Sequence, residues 1–318
     1  MSVTLNGGVT FGGGFSFTAP PAPPSVATAG WFGGGLNPTQ TSNVQRITFA
    51  TDTSTATTRG SLNVEKYNLA AAGNNTNGWF GGGENSSGAS STVASITYAT
   101  DTATASVRGP LSLARYALAA TGNTTDGWFG GGNPGPVTTV DRITYATDTA
   151  TASVRGPLSL ALSYLAATGN STDGWFAGRI FVTTVQRITY VTDTATASVR
   201  GPLSLPRYGL SATGTESYGW FGGGYYSNPG PAPVSTVDRI TYATDTATAG
   251  VRGPLSSARY KLSAVTDSTT YGWFGGGQNP AVLSTVDRIT YATDTATADV
   301  RGPLSLGKYA AAGASGIQ

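Results

Sequence analysis

Between Ile143 and Val154 the side chains alternate with a period of two. Ile143 and Tyr145 share one face, and after Asp148 the residues Ala150, Ala152 and Val154 oppose Thr149, Thr151 and Ser153. Alternation of this kind marks half-buried strands, because helical apolar positions recur every three or four residues. Thr147-Asp148-Thr149 interrupts the run as a hairpin turn does, and Asp148 is expected to accept bonds from its own turn amides. Upstream, Tyr-Ala-Leu-Ala-Ala-Thr from Tyr116 and Gly-Trp-Phe-Gly-Gly-Gly from Gly127 read as two more short strands. Gly156-Pro157 stops the last strand, since proline has no amide hydrogen to give a ladder. No stretch shows a convincing helical period. Residues 116–155 thus predict four short strands with turns between them.

The pattern recurs. Trp31, Trp79, Trp128, Trp175, Trp220 and Trp273 each stand between Gly and Phe, at intervals of 45 to 53 residues. Arg-Gly keeps step at Arg59, Arg108, Arg155, Arg200, Arg252 and Arg301, and Thr-Asp-Thr at Asp52, Asp101, Asp148, Asp193, Asp245 and Asp294. Periods of this size belong to propellers, solenoids or arrays. Four strands per unit and six units predict an all-β chain, a six-bladed β-propeller of four-stranded antiparallel blades. A β-solenoid is the main rival, but its coils run shorter and lack such regular hairpins. Lys308–Gly313 repeats the first strand of a unit with no Trp strand after it. It is therefore expected to pair beside Trp31 and close the ring, hiding an open strand edge. Residues 25–29 are the other candidate for that place.

Certain residues give the unit a family likeness. A glycine pair follows the second strand (Gly33-Gly34, Gly81-Gly82, Gly130-Gly131, Gly222-Gly223, Gly275-Gly276), and a variable loop comes next. A strand then ends in Tyr98, Tyr145, Tyr190, Tyr242 or Tyr291, and Arg115, Arg207 and Arg259 precede Tyr116, Tyr208 and Tyr260. In these features residues 25–318 resemble the kelch repeat, which implies the same propeller fold. Two departures stand out: Ala177-Gly178 replaces the pair in the fourth unit, and the family's last-strand Trp is missing. The Trp-Phe-Gly-Gly-Gly units are also similar to predicted tail-fibre and appendage proteins of marine bacteriophages. That resemblance implies a virion protein whose partners are other virion subunits or a host-surface glycan.

Composition narrows the chemistry. The chain of 318 residues has no His and no Cys, which removes disulfides, thiolate and histidine catalysis, and Cys/His zinc sites. A net charge of +2 argues against nucleic acid as a partner. Nothing approaches a membrane-spanning length of apolar residues, so no membrane insertion is expected. No cofactor and no metal are expected either. Catalytic-type residues repeat along with the scaffold, whereas an enzyme built on a ring of similar units breaks the repeat to install its special groups. The chain therefore reads as a non-enzyme, with an acid-based hydrolase or lyase as the competing class.

What the repeat does not copy is the segment after the glycines. A rigid scaffold with one changeable set of loops is how binding faces are built. Tyr225 and Tyr226 are the first candidates there, since Tyr gives contact area at low entropy cost; Arg179, Ile180 and Phe181 follow. The six Trp, fixed within strands, read as core. Residues 1–24 lie outside the period, and their Pro-rich run from Pro20 to Pro24 is a stiff spacer. They lack the charged and apolar regions of a secretory signal. They read as an anchoring arm in which Phe11, Phe15 and Phe17 make the attachment, or as a disordered leader. The expectation is a binding and structural protein of the virion, possible as an oligomer, with a lectin-like propeller of cellular origin as the alternative.

Overall fold

A computed structural model describes residues 27–227 and 230–316. The arm with Phe11, Phe15 and Phe17 lies outside the described residues. The chain forms a β-propeller of six four-stranded antiparallel sheets. The third blade shows the plan. Ala119–Gly122 is innermost, followed outward by Asp126–Gly130, Val140–Thr144 and Ser153–Arg155. The innermost strands of successive blades touch one another around a common axis. They enclose a cavity of about 160 Å³ lined by residues such as Ala71, Ala120, Ala167 and Ala212.

The ring closes through the chain's end. Ala312–Ser315 supplies the inner strand of the first blade, pairing antiparallel with Ala29–Gly33, with Trp31 opposite Ala314. Thr28 and Ala29, described residues of the alternative stretch 25–29, do not fill that place: Ala29 already belongs to the Trp strand, and Thr28 accepts a bond from the Phe49 amide. Ala27 and Gly316 consequently lie side by side.

Alternation along each second strand sends neighbouring side chains to opposite junctions. Trp128 enters the cluster shared with the fourth blade, beside Ile188 and Tyr190, while Phe129 packs back among the second-blade residues Trp79 and Val93. Six such clusters, one per junction, make up the core.

The repeated Asp does not cap its own turn, as the sequence suggested. Its Oδ2 accepts a bond from the Trp Nε1 of the preceding blade at 2.7–2.9 Å, from Trp31 to Asp101 round to Trp273 to Asp52. The same oxygen faces the preceding blade's Arg-Gly arginine, for example Arg155 to Asp193 at 3.4 Å. In five junctions a second arginine joins it, such as Arg142 at 3.2 Å. Each indole also lies flat on the next blade's Tyr, or on Phe49, with centroids 3.8–4.1 Å apart. Stacking, a hydrogen bond and an ion pair thus meet on one Trp–Asp contact per junction.

The Arg-Gly glycine makes this contact possible. Gly156 N donates to Asp193 O, and a Cβ on Gly156 would fall 2.0 Å from Ala195 O. The tight approach also shortens the outer strand. Alternation from Ala150 suggested a longer strand than Ser153–Arg155, but Tyr145–Thr147 forms a 3-10 turn and Ala152 N bonds to Pro110 O of the neighbouring blade.

Small departures from the repeat come in matched pairs. The hydroxyls of Tyr190, Tyr242 and Tyr291 meet Thr121, Thr168 and Thr213 on the preceding inner strand. Where Ala72 and Ala314 stand instead, the buried hydroxyls of Tyr145 and Tyr98 have no partner. Ala72→Thr should therefore stabilise the fold by about 1 kcal/mol, the net worth of one buried hydrogen bond. Urea unfolding of the variant checks this: an unchanged or lower midpoint would contradict the pairing.

Candidate functional site

Hairpins between the first and second strands, and the Thr-Asp-Thr turns, lie on one face of the ring; Tyr145 N bonding to Thr125 O joins the two sets. The uncopied segments after the glycines lie on the opposite face, with the links that lead into each inner strand. Tyr116 bridges Asn133 there, Tyr67 bridges Glu84, and Tyr260 bridges Gln278. Left-handed glycines such as Gly131 (φ 69°) and Gly132 (φ 116°) turn the chain out of the second strand into this face. Ala27 and Gly316, beside the ends of their strands, belong to the hairpin face.

Under each link sits a buried residue at one repeat position: Lys66, Arg115, Leu162, Arg207, Arg259 and Lys308. The three arginines pair with Asp141, Asp238 and Asp287 at 3.0–3.3 Å, all without solvent exposure. Each also donates to the Phe carbonyl of its blade's second strand. Leu162 instead goes with Gln186, whose amide bonds Ser159 and Leu160. Lys66 and Lys308 have Ala94 and Gln45 at the Asp position. Their ammonium groups donate only to carbonyls, those of Phe80 and Thr92 and of Phe32 and Asn43.

Burial without a carboxylate lowers both lysines to about 7. Below pH 7 the folded and unfolded chains both hold these protons and the burial penalty is complete. Between pH 7 and about 10.5 the unfolded chain keeps protons that the folded one has shed, so stability rises with pH. The urea midpoint should climb from pH 7 to pH 9, and Lys66→Leu, which copies Leu162, should raise the neutral-pH midpoint and flatten the climb. A midpoint independent of pH would contradict this assignment.

At the axis the links meet. The residue after each link tyrosine, or Tyr164 itself in the fourth blade, is left-handed, with φ of 51–64°. These residues are Asn68, Ala117, Tyr164, Gly209, Lys261 and Ala310. Each donates its amide to the carbonyl of the one before, and Asn68 donates to Ala310, giving a closed circle of six bonds of 2.6–2.8 Å. The circle surrounds the axis at the link end of the inner strands.

Tyrosines gather above it. Tyr208 and Tyr225 are 5.5 Å apart between centroids, Tyr225 and Tyr260 5.0 Å, and Tyr164 and Tyr208 6.0 Å, at angles of 43–67°. Lys261 Nζ lies 5.4–5.9 Å from the centroids of Tyr164, Tyr260 and Tyr309. Burial lowers the Lys261 ammonium from its ordinary value, and the Glu84 carboxylate opposes that shift. Burial, then the bond and charge of Glu84, push Tyr67 up to about 12. The Tyr208 and Tyr164 hydroxyls are raised as well, chiefly by burial.

The sequence candidates lie on this same face, and one of them reaches the mouth. Tyr225–Tyr226 is a strand of a three-stranded sheet with Arg207–Tyr208 and Ala232–Pro233, and Tyr225 joins the aromatic group. Arg179 ends a strand whose hairpin carries Ile180 and Phe181 at its tip. Its guanidinium donates to Ala161 O, and Phe181 is 67% exposed. Sequence reasoning passed over Tyr164, Tyr309 and Lys261; the signal was there in the recurring link tyrosines. Among the described residues no group of three or more carboxylates is placed to hold a metal ion, and no helix is long and apolar enough to cross a membrane.

No family model matches the chain, and no curated protein matches it in sequence. Among solved structures it is similar to that of YjhT, with a TM-score of 0.63 and 11% identity over 80% of this chain and 88% of that one. At that identity the likeness speaks for the fold, and the chain is a six-bladed β-propeller.

Proposed function

We propose that the chain is a non-enzymatic binding protein, a bacteriophage appendage subunit of the kelch-like kind that presents its link face to a host-surface glycan. One observation carries the reading. The face that the repeat does not copy holds a half-buried cluster of tyrosines, and the first and last described residues, Ala27 and Gly316, lie on the opposite face. A segment preceding Ala27 can anchor the ring from behind while the tyrosines look outward. The conspicuous carboxylates give no competing site, because the repeated Asp residues are occupied by Trp and Arg at the junctions. Labelled full-length protein should adsorb to isolated envelopes from a panel of marine bacteria. Tyr225→Ala with Tyr226→Ala should reduce adsorption at least tenfold while leaving the unfolding midpoint in place. Absence of adsorption to every envelope, or adsorption indifferent to both tyrosines, would overturn the reading.

A further inference from the structure

The geometry points to a single saccharide site at the axial mouth that takes a neutral hexopyranose end, one per ring, an inference that rests on the adhesive reading above. Three observations carry it. First, Tyr164, Tyr225 and Tyr260 belong to a run of half-buried rings tilted by 43–67° to their neighbours instead of stacked flat, so each keeps part of its ring surface at the mouth. The C–H face of a pyranose packs on such faces, while phenol hydroxyls both donate to and accept from sugar hydroxyls.

Second, the charges in the mouth balance. Lys261 brings three donors within 5.4–5.9 Å of the ring centroids of Tyr164, Tyr260 and Tyr309. The Glu84 carboxylate lies close enough to act on both Lys261 and Tyr164. An anion would meet Glu84 and a cation would meet Lys261. A polyol can use one as donor and the other as acceptor.

Third, the mouth is not six-fold. Of the six left-handed positions around the axis, four hold Asn68, Ala117, Gly209 and Ala310. Tyr164 and Lys261 alone put long side chains there. The repeat therefore yields one site, standing on a closed circle of backbone bonds that fixes it before any ligand arrives.

The test uses immobilised oligosaccharides ending in glucose, galactose, mannose or N-acetylglucosamine, with uronate-ended oligosaccharides for comparison. Wild type should be captured by at least one neutral probe, and calorimetry with that probe should give about one site per chain. Tyr260→Ala, and Lys261→Asn, which copies Asn68, should each weaken capture at least tenfold; Val191→Ala, an exposed residue in a turn on the opposite face, should not. The six buried indoles report by fluorescence that each variant is folded. Capture unchanged in both mouth variants, or lost in Val191→Ala, would move the site elsewhere and leave the adhesive reading standing. Capture by uronates alone would overturn the ligand class. Silence toward every saccharide, with envelope adsorption intact, would overturn the saccharide site only; silence in both assays would overturn both readings.

Discussion

Asp141→Ala should lower the unfolding free energy by about 3–5 kcal/mol, the usual cost of leaving one member of a buried ion pair alone. Arg115 and Asp141 are both without solvent exposure, 3.0 Å apart. Asp141 also accepts bonds from the Ser112 amide and hydroxyl, which would lose their partner as well. Removing both charges is a different matter. The fourth blade already does so with Leu162 and Gln186, whose amide holds the link through Ser159 and Leu160. Arg115→Leu with Asp141→Gln should therefore recover most of the loss, to within about 1–2 kcal/mol of wild type, since a well-packed replacement for a buried pair is often nearly neutral. Urea unfolding of the single and double variants decides it. A mild Asp141→Ala, or a double variant as poor as the single one, would show that the three charged links and the uncharged one are not equivalent solutions.

Deleting residues 311–318 should have the larger effect and abolish the cooperative transition near the wild-type midpoint. The deletion removes the four-residue partner of Ala29–Gly33. It also uncovers the inner strands Ala70–Gly73 and Ser263–Thr266, which flank Ala312–Ser315 around the axis. Both junctions of the first blade are damaged, and a domain with about 5–15 kcal/mol to spare does not tolerate that. Tryptophan emission should shift to the red as Trp31 and Trp273 become wet. Peptide 311–318 added in trans should reverse part of the shift. A truncated chain that melts like wild type would mean that the ring is held without its closing strand.

The parts of this fold that could be read from the sequence share a property: they reside within one unit. Alternation about Asp148 gave the strands, six Gly-Trp-Phe motifs gave the blades, and an orphan first strand after Lys308 gave the closure. The junction chemistry could not be read this way. Trp128 and Asp193 are 65 residues apart, and the Asp already had a local explanation in its own turn. The mouth was hidden for another reason. It depends on left-handed backbone at Ala117, Tyr164 and Lys261, residue types that carry no signal for positive φ. Without that turn the link tyrosines read as the first residues of inner strands, when they stand clear of them. Tyr225 could be found because it breaks the repeat, whereas Tyr260 and Tyr309 belong to it and were passed over.

The seating of Ala29–Gly33 has a mechanical meaning. This strand runs between Ala312–Ser315 and Asn43–Thr48, with ladder partners on both sides. A tether leaving at Ala27 and a ligand held at the opposite mouth would pull it lengthwise. Its bonds to the two neighbours would then be loaded together in shear instead of peeled one after another. A pull across the molecule would thus have to slide the strand that begins the propeller out between two partners.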